Sequence, residues 1–148
     1  MTEFSHIDEG GGVRMVDVGA KAVSRRRASA RAHLAMRPDT ARRLGELPKG
    51  DALTTAKVAG VLAAKRTSDL IPLCHPLPLS WIDVVVAIVD NGADVTATVE
   101  TTAQTGVEME ALVAATVAAL TVYDMAKALD DSMVLADVRL LEKTKDDV

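Results

Sequence analysis

The sequence predicts an α+β fold built on an antiparallel sheet, and three observations support this prediction. Small apolar residues alternate with polar ones from Ala22 to Met36, a period of two that is typical of a half-buried strand. A run rich in Val and Ile, Trp81 to Asp90, meets another alternating run, Ala93 to Ala103, at Asn91-Gly92, a dipeptide that favours a tight hairpin turn. Stretches with helical patterning separate and follow these strands.

Two helical segments are predicted between the first and second strands. Pro38 opens a short helix over 39–46, since proline suits the first turn of a helix. The sequence Lys49-Gly50-Asp51 then places Asp51 as the N-cap of a helix over about 52–66.

A longer helix and a final strand complete the order β-α-β-β-α-β. Gly106 precedes a helical stretch over 107–129, and we expect its larger apolar residues to face the core. Those residues are Met109, Leu112, Val113, Val117 and Leu120. The last strand spans Met133 to Leu141. This order is the split βαβ, or ferredoxin-like, arrangement, in which the helices pack on one face of the sheet.

The second predicted strand indicates that the other face of the sheet is covered as well. Its outward side carries Trp81, Val85, Ala87 and Val89. This side is too apolar to meet water, so we expect the open sheet face to pack on another copy of the chain and the protein to be an obligate homo-oligomer.

Length, charge and composition restrict the functional class. The 148 residues suit one domain, predicted over 14–148 after a polar, flexible lead-in over 1–13. The single cysteine, Cys74, excludes an internal disulfide and, with no secretory signal expected, predicts a cytoplasmic protein. A net charge of −4 and three aromatic residues argue against nucleic-acid binding. The apolar stretch 111–122 is too short to span a membrane.

The segment from Asp69 to Pro78 combines rigidity with side chains that can contact a ligand. Its three prolines restrict φ and remove backbone donors, so we predict a stiff loop rather than a helix. Within it, Cys74 and His75 lack the spacing of a metal site, and adjacent residues rarely form a nucleophile–base pair. The best interpretation of His75 is a hydrogen-bonding group for a substrate.

Charged residues lie at both ends of the long predicted helix. Glu108 and Glu110 occupy its first turn, while Asp124 and Lys127 share one face near its end and can pair. Glu110 and Asp124 are fourteen positions apart (124 − 110), about 21 Å along a helix. If both act in one site on a small molecule, two chains must form that site.

Cations elsewhere suit a polyphosphate ligand, although scattered surface cations are the simpler interpretation of each residue alone. They are Arg26, Lys49, Lys65, Arg66 and Lys127. Lys49 precedes a predicted helix N-terminus, which favours anions. A lysine near other cations also loses proton affinity, which suits a general acid or base. The sequence has neither a P-loop nor a dinucleotide-binding motif.

Six segments together carry a family resemblance. They are Arg14–Val18 (RMVDV), Lys49–Asp51, Ala63–Thr67, Asp69–Leu77 (DLIPLCHPL), Thr105–Leu112 (TGVEMEAL) and Ala118–Lys127 (AALTVYDMAK). They resemble the cyclic pyranopterin monophosphate synthase family of molybdenum cofactor biosynthesis, over nearly the whole chain. DLIPLCHPL and TGVEMEAL are the most specific segments.

The resemblance implies a lyase that converts 3′,8-cyclo-7,8-dihydro-GTP into cyclic pyranopterin monophosphate and diphosphate. It implies ferredoxin-like subunits in a hexamer, a trimer of dimers, with active sites at dimer interfaces. It implies no cofactor and no protein metal site, and leaves open a divalent cation bound with the triphosphate. A non-enzymatic ferredoxin-like module that binds a nucleotide-like anion is the alternative.

The resemblance also implies roles for individual residues. Asp124 matches the catalytic aspartate of the family, and Lys127 and Lys49 match two lysines that move protons. The positions that match substrate-binding residues are Leu73, Cys74, His75, Met109, Glu110, Glu108, Lys65 and Arg26.

Overall fold

The computed structural model describes residues 5–148, within which four strands form one sheet. The strands are Ser24–Ala35 (β1), Leu79–Val89 (β2), Gly92–Ala103 (β3) and Val134–Asp147 (β4). The helices are Pro38–Arg42 (α1), Ala52–Lys65 (α2), Thr67–Leu70 (α3) and Glu108–Ala126 (α4), with a 3₁₀ turn at Leu44–Glu46. Apart from the one-turn helices, this order confirms the predicted βαββαβ arrangement.

The sheet has the strand order β2-β3-β1-β4, and every neighbouring pair is antiparallel. The hairpin at Asn91-Gly92 joins β2 to β3, as predicted. The last strand is longer than the predicted Met133–Leu141, because β4 pairs with β1 along its whole length, from Ala35 opposite Val134 to Ser24 opposite Asp147. Its charged second half has no apolar alternation that would indicate a strand.

The core lies between one face of the sheet and the helices α2 and α4, and it is built largely from small side chains. Ala28, Ala30 and Ala32 of β1 are fully buried, and so are Val95 and Val99 of β3. Short side chains leave little space between layers, so the two helices lie close to the sheet and to each other.

The buried face of α4 differs from the prediction. The expected inward residues Met109, Leu112, Val113, Val117 and Leu120 are only partly buried or exposed, and Leu120 is 47% exposed. The residues of α4 that are fully buried are Ala111, Ala114, Ala115, Ala118, Ala119, Val122 and Ala126. The prediction was wrong for Met109, Val113, Val117 and Leu120 because it ranked residues by size, whereas mostly small side chains fill the space beside α2 and the sheet. Leu112 is partly buried and packs against the core, as predicted.

The apolar stretch that was expected to be too short to span a membrane lies within the longer helix α4. At 19 residues, α4 is the one helix within residues 5–148 that is long and apolar enough to cross a bilayer. Half of its apolar window is nevertheless buried against the rest of the chain, as expected of a core helix.

The open face of the sheet carries exposed apolar side chains along β2. There Trp81 is 43% and Val85 is 52% exposed, so the side that was predicted to pack on another copy is uncovered within this chain. Along the neighbouring β1 and β3, hydrogen bonds join polar side chains on this face, including Ser29 Oγ to Thr98 Oγ1 at 2.9 Å. The guanidinium of Arg27 lies 5.5 Å from the centre of the Trp81 ring. A partner on this face would therefore meet both apolar and charged groups.

Gly60 marks the closest approach of α2 to its neighbours. A Cβ atom at this position would lie 3.0 Å from Val84 Cγ2 on β2 and 3.1 Å from the Ala114 carbonyl oxygen on α4. Because one contact is to backbone, a larger side chain can be accommodated only if a helix shifts.

We predict that Gly60→Val lowers the free energy of unfolding by about 3 kcal/mol, because it forces α2 away from α4. Urea titration followed by circular dichroism measures this loss. Gly45→Ala is the matched control, since a Cβ at Gly45 meets no atom within 4 Å, and its effect should stay within about 0.5 kcal/mol. Equal stability of the two variants would contradict the close packing described for Gly60.

Candidate functional site

A cavity of about 480 Å³ lies where the N-terminal segment, the proline-rich loop and the start of α4 meet. This volume is within the range of about 300–1,000 Å³ that small-molecule sites occupy. Three walls enclose the cavity, and each is formed by a different part of the chain.

The proline-rich loop forms the first wall. It contributes Leu73, Cys74, His75 and Leu77. The loop begins later than predicted, because Asp69 and Leu70 belong to the one-turn helix α3. The Ile71 N–H then donates to the Thr67 carbonyl at 2.9 Å, and the Cys74 N–H to the Ile71 carbonyl at 3.1 Å. These tight turns and the prolines that follow hold Cys74 and His75 at the cavity.

The junction between β3 and α4 forms the second wall and carries two carboxylates. It contributes Thr105, Gly106, Glu108, Met109 and Glu110. Glu110 is only 4% exposed. Burial, with a smaller contribution from the negative charge of Glu108, raises the pKa of Glu110 to about 7, although a backbone hydrogen bond opposes this shift. Burial, with the charges of Glu110 and Glu108, also raises the pKa of the Cys74 thiol. A carboxyl group that titrates near neutrality inside a cavity can act as a general acid or base.

The N-terminal segment forms the third wall, which the sequence did not predict. It contributes Ser5, His6, Val16, Val18 and Lys21. Residues 1–4 of the predicted flexible lead-in lie outside the described residues. Residues 5–13 form a turn in which the Asp8 carboxylate accepts hydrogen bonds from the N–H groups of Gly10 and Gly12, at 3.0 and 2.7 Å. The Arg14 N–H closes the turn on the His6 carbonyl at 2.8 Å.

A second cluster of predicted site residues lies at the opposite end of α4. Lys127 Nζ is 3.1 Å from one Asp124 carboxylate oxygen, and Lys49 Nζ is 3.3 Å from the other. Hydrogen bonds from Lys127 and then Lys49 lower the pKa of Asp124. All three side chains are about half exposed, with exposed fractions of 49–58%. The predicted Asp124–Lys127 pair therefore forms, and Lys49 joins it from another segment.

Local structure explains how Lys49 reaches α4. The chain makes a turn closed by a bridge between Leu47 and Gly50, and the φ of Gly50 is +114°, a conformation that glycine adopts most easily. Asp51 then caps α2 as predicted, accepting from the Thr54 N–H at 3.0 Å. The Asp51 carboxylate therefore occupies the N-terminus of α2, and the anion site that was expected there is not supported.

A buried carboxylate, Asp130, links the chain segments that meet at the C-terminal end of α4. Asp130 is 2% exposed and follows α4. It accepts hydrogen bonds from the Arg37 N–H and the Thr40 hydroxyl, both at 2.9 Å, and from the Ser132 N–H at 2.8 Å. Hydrogen bonds, chiefly from Ser132, hold the pKa of Asp130 well below its usual range. Asp130 thereby fixes the β1–α1 junction against the end of α4. The segment that carries Lys49 follows this junction.

The remaining predicted residues lie outside the large cavity. Arg26 lines a neighbouring groove, where its Nε donates to Ser24 Oγ at 2.6 Å. Lys65 is exposed at the last turn of α2. Within residues 5–148, no group of three or more His, Cys, Asp or Glu side chains is arranged to hold a metal ion.

Apart from Arg26 and Lys65, the structure divides the predicted site residues between two clusters separated by the length of α4. The cavity cluster contains Leu73, Cys74, His75, Glu108, Met109 and Glu110. The lysine cluster contains Lys49, Asp124 and Lys127. From Glu110 to Asp124, α4 rises about 21 Å, so one small substrate cannot contact both clusters in one chain.

Comparison with known proteins identifies the family. The family model described as MoaC family matches residues 15–146. The chain belongs to the MoaC family. A relative in Novosphingobium aromaticivorans is 56% identical over 145 residues, covering 97% of this chain and 92% of the relative. A relative in Heliobacterium modesticaldum is 53% identical over 148 residues, covering 97% of this chain and 93% of the relative. Both relatives are named cyclic pyranopterin monophosphate synthase.

The family also occurs as part of a longer protein. A relative in Chlorobaculum tepidum, named molybdenum cofactor biosynthesis bifunctional protein, is 54% identical over 144 residues. The match covers 96% of this chain but 46% of that relative. The MoaC-family unit therefore also occurs joined to other sequence.

We predict that Glu110→Gln stabilises this MoaC-family chain at pH 8 but much less at pH 5. The folded-state pKa of about 7 lies above the ordinary value of 4.5, so the unfolded chain binds fewer protons between these values. Wild-type stability therefore falls as pH rises from about 4.5 to 7. The Glu110→Gln variant does not lose this stability, because its side-chain amide does not titrate. Calorimetric Tm values at both pH values measure the difference.

The exposed Glu46, at the end of the 3₁₀ turn, provides the matched control. Glu46→Gln should change the Tm by a similar small amount at both pH values. A Glu110→Gln effect that is the same at pH 5 and pH 8 would contradict the raised pKa assigned to the buried Glu110.

Proposed function

We propose that the protein is a cyclic pyranopterin monophosphate synthase, which converts 3′,8-cyclo-7,8-dihydro-GTP into cyclic pyranopterin monophosphate and diphosphate. The observation that carries the proposal is membership of the MoaC family, with relatives of this name matching more than nine-tenths of both chains. The function thereby belongs to molybdenum cofactor biosynthesis. The alternative, a non-enzymatic anion-binding module, is not favoured, because these relatives are named as synthases.

The chemistry of this reaction matches the groups that the structure provides. The substrate carries a flat, purine-derived ring system, for which the cavity offers apolar walls and hydrogen-bonding groups such as His75 and Glu110. Rebuilding that ring into a pterin requires several proton transfers, and closing the cyclic phosphate expels diphosphate. Cations near the departing phosphates stabilise the negative charge that develops there.

The lysine cluster is the proposed proton-transfer centre. Asp124 lies between two ammonium groups, with Lys127 at 3.1 Å and Lys49 at 3.3 Å. Its carboxylate can orient both lysines and compensate the charge of whichever lysine is protonated. We propose that Lys49 and Lys127 alternate as acid and base while Asp124 positions them.

Glu110 is a further acid–base group on the cavity side. Its pKa of about 7, caused mainly by burial, makes both protonation states accessible under cellular conditions. Cys74 and His75, on the proline-rich loop, are proposed to hold the ring system in place.

We propose that two chains complete each active site, because the two clusters lie about 21 Å apart along α4. Apolar surface is available for such contacts on the outer side of α2 and α4, where Val58, Leu62 and Leu120 are 47–53% exposed. The exposed Trp81 and Val85 of β2 offer a second surface. Two distinct surfaces suit the proposed trimer of dimers, since each can form a different kind of interface.

The remaining expectations follow from this function. The ligand is a small molecule, and the negative net charge of −4 does not suit nucleic acid. We propose that the enzyme acts in the cytoplasm without a membrane and without an organic cofactor.

We predict that Lys127→Ala lowers the rate of product formation by about 10²–10⁴-fold, because it removes a proton-transfer group and the partner of Asp124. Mass spectrometry of reactions started with 3′,8-cyclo-7,8-dihydro-GTP measures both the loss of substrate and the appearance of the cyclic phosphate. Lys57→Ala is the control, since Lys57 is an exposed lysine on α2 outside both clusters.

Two outcomes would contradict the proposal in different ways. Substrate returned unchanged by the wild-type protein would contradict the activity itself. Turnover by Lys127→Ala at the rate of Lys57→Ala would leave the activity intact but remove the role assigned to Lys127.

A further inference from the structure

The geometry of the lysine cluster depends on contacts outside the cluster. Lys49, Asp124 and Lys127 are each about half exposed. Ion pairs between exposed side chains contribute little to stability, and a lysine side chain has many rotamers. These pairs alone therefore do not keep two ammonium groups on one carboxylate. The backbone segments that carry the two lysines must be held in place by other residues.

Asp130 connects these segments and takes no part in the proposed chemistry. Within residues 5–148, Asp130 and Glu110 are the two buried acidic side chains, and they lie at opposite ends of α4. A buried carboxylate is stable only where donors surround it. Two of the donors to Asp130, the Arg37 N–H and the Thr40 hydroxyl, come from the start of α1. The carboxylate therefore joins the end of α4 to the chain that follows β1.

The Arg37 side chain adds a second connection between the same segments. Its Nη2 donates to the Leu129 carbonyl at 2.6 Å, and its Nη1 lies 3.3 Å from Asp130 Oδ1. A planar guanidinium presents its donors in a fixed arrangement, so Arg37 holds both acceptors at once. The Leu129 N–H donates in turn to the Ala126 carbonyl at 2.9 Å. Arg37 therefore fixes the turn that contains Lys127, the C-cap residue of α4.

Lys49 is held through the chain that follows Arg37. Leu44 is fully buried and Leu47 is 7% exposed, so this chain packs against the core before it reaches Lys49. Lys49 Nζ then donates to the Asp124 carbonyl oxygen at 3.1 Å, in addition to its contact with the carboxylate. Because the packed chain begins at the contact of Arg37 with the end of α4, that contact also determines where Lys49 meets α4.

We infer that Arg37 is a positioning residue for the lysine cluster, because it fixes both the turn that carries Lys127 and the chain that carries Lys49. Within residues 5–148, the side-chain hydrogen bond and ion pair of Arg37 reach the loop after α4 rather than the cluster, so Arg37 acts through the backbone. The inference rests on the proposed function for the part that the lysines play in proton transfer. Loss of the Arg37 side chain should let the ammonium groups move away from their carboxylate partner, while the cavity at the other end of α4 stays unchanged.

Steady-state kinetics with 3′,8-cyclo-7,8-dihydro-GTP compare Arg37→Met with the control Arg42→Met. Arg42 is an exposed arginine of α1 that pairs with Asp39 in its own helix. We expect Arg37→Met to lower kcat by about 10- to 100-fold, because small displacements of a reacting group cost about this much in rate, while KM stays within about twofold. Arg42→Met should match the wild type. Equal kcat values in the two variants, or a rise in KM alone, would overturn the inference.

The variant Arg37→Lys separates geometry from charge. It keeps the positive charge but presents its donors at one point, so it cannot hold both acceptors in place. Its kcat should therefore stay close to that of Arg37→Met. Full recovery of the wild-type kcat would show that the charge alone is needed, and the positioning role would be lost.

Carbon-13 NMR of the Asp124 carboxyl group tests the positioning without turnover. In the wild type, hydrogen bonds from Lys127 and Lys49 lower the pKa of Asp124. In Arg37→Met these hydrogen bonds should lengthen, and the titration midpoint should rise toward the ordinary pKa of 3.8. Arg42→Met should keep the wild-type midpoint, and circular dichroism at the same pH checks that each variant is folded. An unchanged midpoint in Arg37→Met would overturn the inference.

The two measurements separate this inference from the proposed function. If the Asp124 midpoint rises in Arg37→Met but the wild-type protein does not convert the substrate, the proposed function fails and the positioning role stands. If the wild-type protein is active and Arg37→Met matches Arg42→Met in both measurements, the inference fails and the proposed function stands.

Discussion

The rigid length of helix α4 is the constraint on which the arrangement of the site depends. Its first turn supplies Glu108 and Glu110 to the cavity, and its last turns supply Asp124, which pairs with Lys127 and Lys49. A helix cannot shorten, so about 21 Å always separates the two clusters within one chain. Any mechanism that uses both clusters on one substrate must therefore bring together two copies of the chain.

Small residues let α4 pack closely against α2 and the sheet, and they leave larger apolar residues available for contacts between chains. Six alanines of α4 are fully buried, and Gly60 lets α2 lie against the α4 backbone. Because the inner face uses mostly small side chains, some of the larger apolar residues of α4 lie outside the core, and Leu120 remains 47% exposed. The packing that keeps α4 straight and close to the sheet thus leaves the apolar surface that an oligomer needs. Asp130 and Gln104 hold the segments that carry Lys49 and Lys21.

Local signals in the sequence were sufficient for the fold but not for the complete site. Alternation, the Asn91-Gly92 turn and the Asp51 cap predicted the element order, which the structure confirms. The buried face of α4 could not be predicted from residue size, because it depends on the spacing between layers. The sequence predicted the Asp124–Lys127 pair from its spacing of three residues. It had no signal for Lys21, since only tertiary contacts bring the N-terminal segment to the cavity; the RMVDV segment was the nearest indication.

The most direct test of the composite site is subunit complementation between the two clusters. Lys127→Ala and Glu110→Gln chains, each weakly active or inactive alone, are co-expressed in equal amounts and assayed as a mixture. If each site takes its cavity from one chain and its lysine cluster from the partner, half of the dimers are mixed and each mixed dimer has one intact site. The account therefore predicts about a quarter of wild-type activity. Activity no higher than that of the separate variants would contradict it, because it would place every site within one chain.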